Sequence, residues 1–398
     1  MNRVARIFGF VSLWIVILTI TLLLTMEGRS RRANMLVERV DVIVLDSVER
    51  GSLINEEMIL TILKRNKINP VGEQINKAPL TLIESVIGAN GFVENVKAYT
   101  SYQGDLKIEV EQRGALARIL LNGYNCYITR DGYIFDAPKS TALNASVITG
   151  DYSPLFESGF VGNIKDKLAE KLVQLDGEIE RVEREKYPVL LREIEYDEDR
   201  RELRKRFINR SFMESKDDFA RRVEELREDN RKRRIELAYR KKMIDKDLNA
   251  LEQRQERYRD QQKKLVKKCD DLHNLITFVN IVEESSFWSS EIVQIIAESD
   301  KNGSMRVSFA VRSGSFIVSL GELPPRNHLS LNHFNERLDE ARREIEGKAS
   351  HSEDEVRKEI EAKLKRLKEF YKEALPRVGW ERYKQINVEF SNQVVCKR

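Results

Sequence analysis

The chain has little of what most enzymes are built from. Its three cysteines, Cys126, Cys269 and Cys396, form no close pair and leave at least one thiol unpaired, which excludes a disulfide scaffold. They read as buried or free thiols. The four histidines, His273, His328, His333 and His351, are spread among polar residues. His328 and His333 are five apart, a spacing that does not bring two imidazoles to one helix face for a metal. A Gly-rich phosphate loop, a G-x-S-x-G elbow and an H-E-x-x-H motif are all missing. Acid pairs such as Asp270-Asp271 and Glu283-Glu284 are adjacent, and adjacent residues on a helix diverge. The sequence therefore assigns no catalytic residue, cofactor site, metal ligand or small-molecule substrate, and the chain reads as a non-enzyme. An excess of one charge is missing too: 69 Lys and Arg against 65 Asp and Glu leave a net charge of +4. That balance lacks the surplus of cations a nucleic-acid surface needs. It is the mixed charge of long solvated helices.

Long apolar runs are also scarce. There is one, over residues 7–26, charge-free and with Gly9 as its sole breaker. About 20 such residues in a helix cover the ~30 Å hydrocarbon core of a bilayer. Its exit through Leu24-Thr25-Met26-Glu27 offers no small-residue cleavage site. The expectation is a short cytoplasmic tail (residues 1–6), one uncleaved transmembrane helix, and the bulk of the chain on the far side. Arg3 and Arg6 before the run and Arg29, Arg31 and Arg32 after it leave the charge rule for orientation ambiguous.

The chain after this run is patterned. Val40, Val42 and Val44 alternate with Arg39, Asp41 and Ile43 as in a half-buried strand. A helix with Asn55 as its cap carries Ile59, Ile62 and Leu63 on one face. A second starts at Pro79, carries Leu82, Ile83, Val86 and Ile87, and ends at Gly88 and Gly91. Two strands, 93–101 and 106–111, complete a small α+β domain over residues 37–113. Beyond it, Asn122-Gly123 and Asp131-Gly132 signal hairpins with type I′ turns. Strands recur over 292–320 and 386–391, so residues 114–162 and 273–398 read as one antiparallel sheet interrupted in sequence.

The interruption, residues 163–272, is charged, helical and almost without glycine. Leu168, Leu172, Leu175, Ile179 and Val182 step by fours and threes. Ile244, Leu248, Leu251, Tyr258, Leu265 and Leu272 hold one heptad frame, with Gln255, Gln262 and Cys269 at the remaining seam positions. The least helical stretch is 209–216, where Ser215 can cap a second helix. An antiparallel coiled-coil hairpin is expected, with arms of roughly 45–55 residues and ~70–80 Å. Pro188 should kink or break the first arm. The alternative is one rod that dimerises with another chain. A second helical insertion is expected at about 327–368, broken near Lys348-Ala349-Ser350-His351.

Two stretches carry a resemblance. Residues 40–113, ending Phe92-Val93-Glu94-Asn95-Val96 and Gly104-Asp105-Leu106-Lys107-Ile108-Glu109-Val110-Glu111-Gln112-Arg113, resemble a POTRA domain of the FtsQ/DivIB cell-division family. Tyr127-Ile128-Thr129-Arg130-Asp131-Gly132 continues that pattern. The C-terminal block, Phe370-Tyr371 through Gly379-Trp380-Glu381-Arg382-Tyr383, then Ile386-Asn387 and Gln393-Val394-Val395-Cys396, is similar to the FtsQ branch of Bacteroidetes-like bacteria. Gly114 and Ala145-Ser146 stand where the family often has proline, and the long coil has no counterpart there.

The resemblance implies an α+β fold class: a single N-terminal transmembrane helix, a POTRA-like domain, and an antiparallel β domain interrupted by a long coiled-coil hairpin. It implies a non-enzymatic, septum-localised scaffold in the inner membrane, with its bulk periplasmic. Its partners would be FtsB-like and FtsL-like bitopic division proteins, recruited partly by adding a partner strand to the C-terminal edge. Carried over, the partner-binding residues are Asn387, Val388, Glu389, Phe390, Ser391, Asn392, Gln393, Val394 and Val395. Tyr371, Trp380 and Tyr383 read first as packing beneath that edge, with partner contact as the other reading. The chief rival is a periplasmic adaptor of an efflux or secretion system, which also has an anchor and a helical hairpin. Adaptors flank the hairpin with lipoyl-like halves, whereas a POTRA-like order precedes it here.

Overall fold

The computed structural model describes residues 13–27, 35–45, 51–138, 143–301, 303–323, 338–390 and 393–398. Residues 13–27 form helix α1. Among the described residues no helix is long and apolar enough to cross a membrane. That finding overturns the expected single N-terminal transmembrane helix among the described residues. The rest of that expected span, residues 7–12, and the tail 1–6 lie outside the described residues.

The first module runs β1 (Val40–Leu45), α2 (Glu56–Arg65), α3 (Leu80–Gly88), β2 (Val93–Thr100) and β3 (Leu106–Gln112). Its sheet has the order β1-β3-β2, with β1 parallel and β2 antiparallel to β3. The Asn55 side chain accepts from Met58 N–H at 2.8 Å and caps α2. Ile59 and Leu63 of α2 and Ile83 and Ile87 of α3 bury against Ile108 and Val110 of β3. Arg113 leaves β3 and fixes the junction with the second module. Its guanidinium donates to Val93 O at 2.9 Å and lies 3.7 Å from the centre of the Tyr133 ring. Phe92 meets Phe135 edge-on at 5.9 Å.

The second module is a ten-stranded sheet. Its strands are β4 (Ala117–Leu121), β5 (Cys126–Ile128), β6 (Tyr133–Asp136), β7 (Ser146–Gly150), β8 (Gly162–Asn163), β9 (Ile292–Ser299), β10 (Met305–Val311), β11 (Ile317–Glu322), β12 (Gln385–Asn387) and β13 (Val395–Lys397). The order is β13-β12-β11-β10-β9-β7-β4-β5-β6-β8. The sheet is mixed, which corrects the antiparallel expectation: β4–β7, β7–β9 and β11–β12 pair in parallel. Parallel neighbours need a crossover connection, usually helical. The two helical stretches that interrupt the sequence serve such connections: one lies between β8 and β9, on the path from β7 to β9, and the other joins β11 to β12. The turns differ as well. Gly123 and Gly132 have φ of 80° and 82°, but Asn122 and Asp131 do not share that sign, so neither turn is type I′.

The first crossover contains α4 (Ile164–Lys205), α5 (Lys216–Glu284) and the short α6 (Ser286–Glu291). Ser215 caps α5 through Asp218 N–H. The arms run antiparallel: Gln262 donates to Asp176 at 2.8 Å, Arg254 to Glu185 at 2.9 Å, Arg192 to Asp247 at 3.1 Å and Arg240 to Asp199 at 2.9 Å. Val182, Val189, Ile244 and Leu251 form a small apolar seam between them. The helix continues through Pro188, contrary to the expected break. One lost backbone bond is tolerated where a partner helix braces both sides. Nor does the second arm end at 272. It continues to Glu284, because residues from Leu272 to Val282 are mostly apolar and nearly all of them bury beneath the sheet, Asn274 and Thr277 included.

The second crossover, α7 (Leu338–Glu373), shows no break at 348–351. Extending an existing helix costs less than nucleating another. Val356, Ile360, Leu364, Leu367 and Tyr371 of α7 bury in the same core as Leu168 and Leu172 of α4 and Phe278 of α5. That core lies on the face of the sheet that carries Ile295, Val307, Phe309 and Val318.

Asp271 of α5 is buried in this core. Its Oδ2 accepts from Tyr152 OH and from Met305 N–H, each at 3.1 Å. Burial, resisted by those two bonds, pushes its carboxyl up to about 6. A carboxylate raised in the folded state favours folding below the unfolded value near 4. That contribution is lost as pH rises through about 6, a swing of roughly 3 kcal/mol. Urea unfolding of Asp271→Asn at pH 5 and pH 8 should show a flatter pH dependence than wild type, with the variant the more stable at pH 8. Parallel pH profiles would contradict this.

A second expectation concerns Gly150, which ends β7 with φ +127° and whose added Cβ would sit 1.9 Å from Ala297 O. Gly303, also at positive φ, has nothing within 4 Å. Gly303→Ala should cost about 1 kcal/mol. Gly150→Ala should cost roughly 3 kcal/mol or more, since backbone must move. Equal losses in thermal unfolding would refute the close contact of β7 with β9.

Candidate functional site: the C-terminal sheet edge

The expected partner surface is carried by the last three strands. Val318 of β11 stands opposite Ile386 of β12, and Ile386 stands opposite Cys396 of β13. β13 is the outermost strand on this side of the sheet. Ile317 N–H donates to Lys384 O and Val388 N–H donates to Ser319 O, each at 3.0 Å. Those bonds set the parity of β12, so that Gln385 and Asn387 direct their backbone groups toward β13. Opposite them are Lys397 and Val395. The residue between, Cys396, therefore turns its N–H and C=O away from the sheet. Among the described residues this edge is free, and it is short.

The nine expected residues do not form one strand. Asn387 ends β12, and its side chain accepts from Glu389 N–H at 2.8 Å. Val388 is fully buried beneath the sheet. Glu389 accepts from Arg306 at 2.6 Å and covers Gly321, where the missing Cβ leaves the space for it. Phe390 is half-exposed, while Arg366 of α7 donates to the carbonyls of Val388 and Phe390 at 3.3 Å each. Ser391 and Asn392 lie outside the described residues. Gln393 is exposed, Val394 packs against the core, and Val395 opens β13 with about half its side chain in solvent. Cys396 and Lys397 extend the edge beyond the expected run. Their signal was present as Val394-Val395-Cys396, a short β-favouring stretch after the turn-forming Ser391-Asn392.

Residues 356–397 match the family model described as FtsQ/DivIB, C-terminal related, and residues 36–111 match a POTRA-like domain. Together they support the FtsQ/DivIB family. No curated protein matches the chain in sequence. A cell-division scaffold fits both matches, and the FtsQ/DivIB family points to non-enzymatic work, to divisome proteins as partners and to the septum as location.

The FtsQ/DivIB match begins at Val356, where α7 enters the core, and ends in β13. The matched segment is thus a helix, an aromatic cluster and the two last strands. Tyr371 is buried, with Trp380, Trp288 and Phe316 around it at ring distances of 5.2, 5.9 and 6.0 Å. Burial pushes its phenol well above the usual range. Tyr383 leans on Phe370 at 6.4 Å. Tyr371, Trp380 and Tyr383 therefore lie between α7 and the strands rather than along the free edge. Lys363, also buried, donates to the carbonyls of Leu320 and Glu322 at 3.4 Å each and holds the end of β11. On the open face of the sheet, Ile296, Ser308, Ile317, Lys384, Gln385 and Lys397 line a shallow cavity of about 350 Å³.

Proposed function

We propose that the chain is a non-enzymatic division scaffold working on the periplasmic side of the septum, and that β13 receives its partners. A strand from an FtsB-like or FtsL-like protein adds to the edge at Cys396, and side chains on the two sheet faces select it. The observation that supports this reading is the outward-facing Cys396 backbone on the outermost strand, inside the segment that matches the FtsQ/DivIB family. A three-residue strand offers a short ladder, so side-chain contacts must supply much of the affinity. The half-exposed Val395 and Phe390 and the cavity beside Lys397 are placed to supply them. The POTRA-like module is left to bind other division proteins.

The parity of the edge separates binding from folding. Cys396→Pro removes a donor that serves no internal bond, a position where an edge strand tolerates proline. Val388→Pro removes the donor to Ser319 O and damages the sheet itself. In co-purification with the bitopic partners, Cys396→Ala should capture them as wild type does. Cys396→Pro should lose capture while keeping its unfolding temperature, and Val388→Pro should lose stability. Undiminished capture by Cys396→Pro would sink the proposal.

A further inference from the structure

The connection between α4 and α5 is the part of the molecule farthest along the hairpin from the sheet. The 42 residues of α4 span about 63 Å at 1.5 Å per residue. Its side chains are unlike those of an ordinary solvated turn. Phe212 is 100% exposed, Met213 94% and Phe207 75%. The cations gather at the turn itself: residues 200–216 hold seven Arg and Lys against two acids, while Asp197, Glu198 and Asp199 lie just behind them on α4. One of the two acids, Glu214, is engaged within the turn, where it accepts from Arg222 at 2.6 Å and from Ser211 N–H at 3.1 Å. Arg206 is likewise engaged, by Asp229 at 2.6 Å. Asp217 and Asp218 come next at the start of α5, and Asp218 pairs with Arg221. Arg210 is engaged within the turn as well, donating to Glu214 O at 2.8 Å. The exposed cations beside them are Arg200, Arg201, Arg204, Lys205 and Lys216, with Glu202 the exposed acid among them.

We propose that this tip docks on an anionic lipid surface, with Phe207, Phe212 and Met213 entering the headgroup boundary and the surrounding cations meeting the lipid charge. A few exposed apolar side chains among exposed Arg and Lys suit a surface that has charge but no fixed shape. A protein groove would ask for one contiguous apolar patch instead. The ion pairs inside the turn hold it open, so the apolar side chains stay in solvent until a surface takes them up. With β13 in the sheet at the base of the hairpin, such a contact would hold the sheet edge and a membrane tens of ångströms apart.

The test places a reporter at the tip of the full chain. Phe212→Trp adds a fluorophore at a fully exposed position, and the wild-type chain supplies the background of Trp14, Trp288 and Trp380. Vesicles are prepared from phosphatidylcholine with brominated acyl chains, with and without phosphatidylglycerol. The expected result is a blue shift and bromine quenching of the added tryptophan with phosphatidylglycerol present, and weakening as salt is raised. Replacing Arg200, Arg201, Arg204 and Lys205 together by Glu should weaken this response at least about tenfold, with the unfolding temperature unchanged. Equal quenching by phosphatidylcholine alone would overturn the electrostatic basis. An unquenched reporter in a vesicle-bound chain would overturn lipid docking, including the case in which the tip instead captures a protein or a soluble polyanion.

Discussion

The whole second half of the molecule depends on two residue pairs. Ile148 and Thr149 of β7 meet Ile295 and Ile296 of β9, and through this short parallel contact the sheet built before the hairpin joins the sheet built after it. The contact is tight because Gly150 lets the β7 backbone close on Ala297. It is reinforced from the side by Gln294 donating to Thr149 at 2.6 Å, and beyond Gly150 by Tyr152 N–H donating to Ala297 O at 3.2 Å and Ser299 N–H to Asp151 at 3.0 Å. More than a hundred residues separate the two strands in sequence. Closing such a loop costs entropy that grows only slowly with its length, so a long excursion is tolerated if the return is well specified.

The return is specified by α5. Its last turns are buried between the sheet and α7, and they deliver β9 to its place beside β7. The outer part of the hairpin has a different character. Its arms are joined mainly by ion pairs between exposed side chains, each worth at most about 1 kcal/mol, and by the small seam around Val189 and Ile244. Stability therefore falls off from base to tip. A firmly packed base keeps the sheet intact, while the distal turn is left to present side chains. At the opposite end the same core reaches the C-terminal edge: α7 packs on the sheet, Tyr371 gathers the aromatics beneath it, and Arg366 and Lys363 tie the helix to backbone carbonyls of the last strands. The edge strand is short, yet the structure behind it is rigid.

Local signals in the sequence translated well. Asn55 and Ser215 cap the helices they precede, and the 4,3 spacing from Leu168 to Val182 marks the buried face of α4. Gln255 and Gln262, placed in the seam by the heptad frame, are buried and hydrogen-bonded across the arms. The features that were not legible are non-local. Strand direction depends on which helix serves as a crossover, and no periodicity in 292–320 reveals that. The α7 core positions from Val356 to Tyr371 keep helical spacing but are diluted by Lys and Glu, so a core helix read as a charged insertion. Alternation through Val388 and Phe390 reads as a strand that continues past Asn387, whereas β12 ends there. In the structure the last ladder bond is Val388 N–H to Ser319 O, after which the Asn387 side chain takes Glu389 N–H and Arg366 takes the carbonyls of Val388 and Phe390. At the N-terminus, hydropathy alone indicates a span that no helix among the described residues provides.

The resulting picture is a POTRA-like module and a mixed sheet whose helical crossovers leave one C-terminal edge free, within a segment that carries the FtsQ/DivIB match. Strand addition at that edge has a direct signature in the exchange rate of one backbone amide. In the free chain the Cys396 N–H faces solvent and should exchange rapidly, while its neighbours Val395 and Lys397 are protected by β12. Amide hydrogen exchange resolved to single residues, measured with and without the bitopic division partners, reads this directly. The expected result is new protection of Cys396 on complex formation. A complex that forms while Cys396 continues to exchange at its free rate would contradict strand addition and place the partner elsewhere on the scaffold.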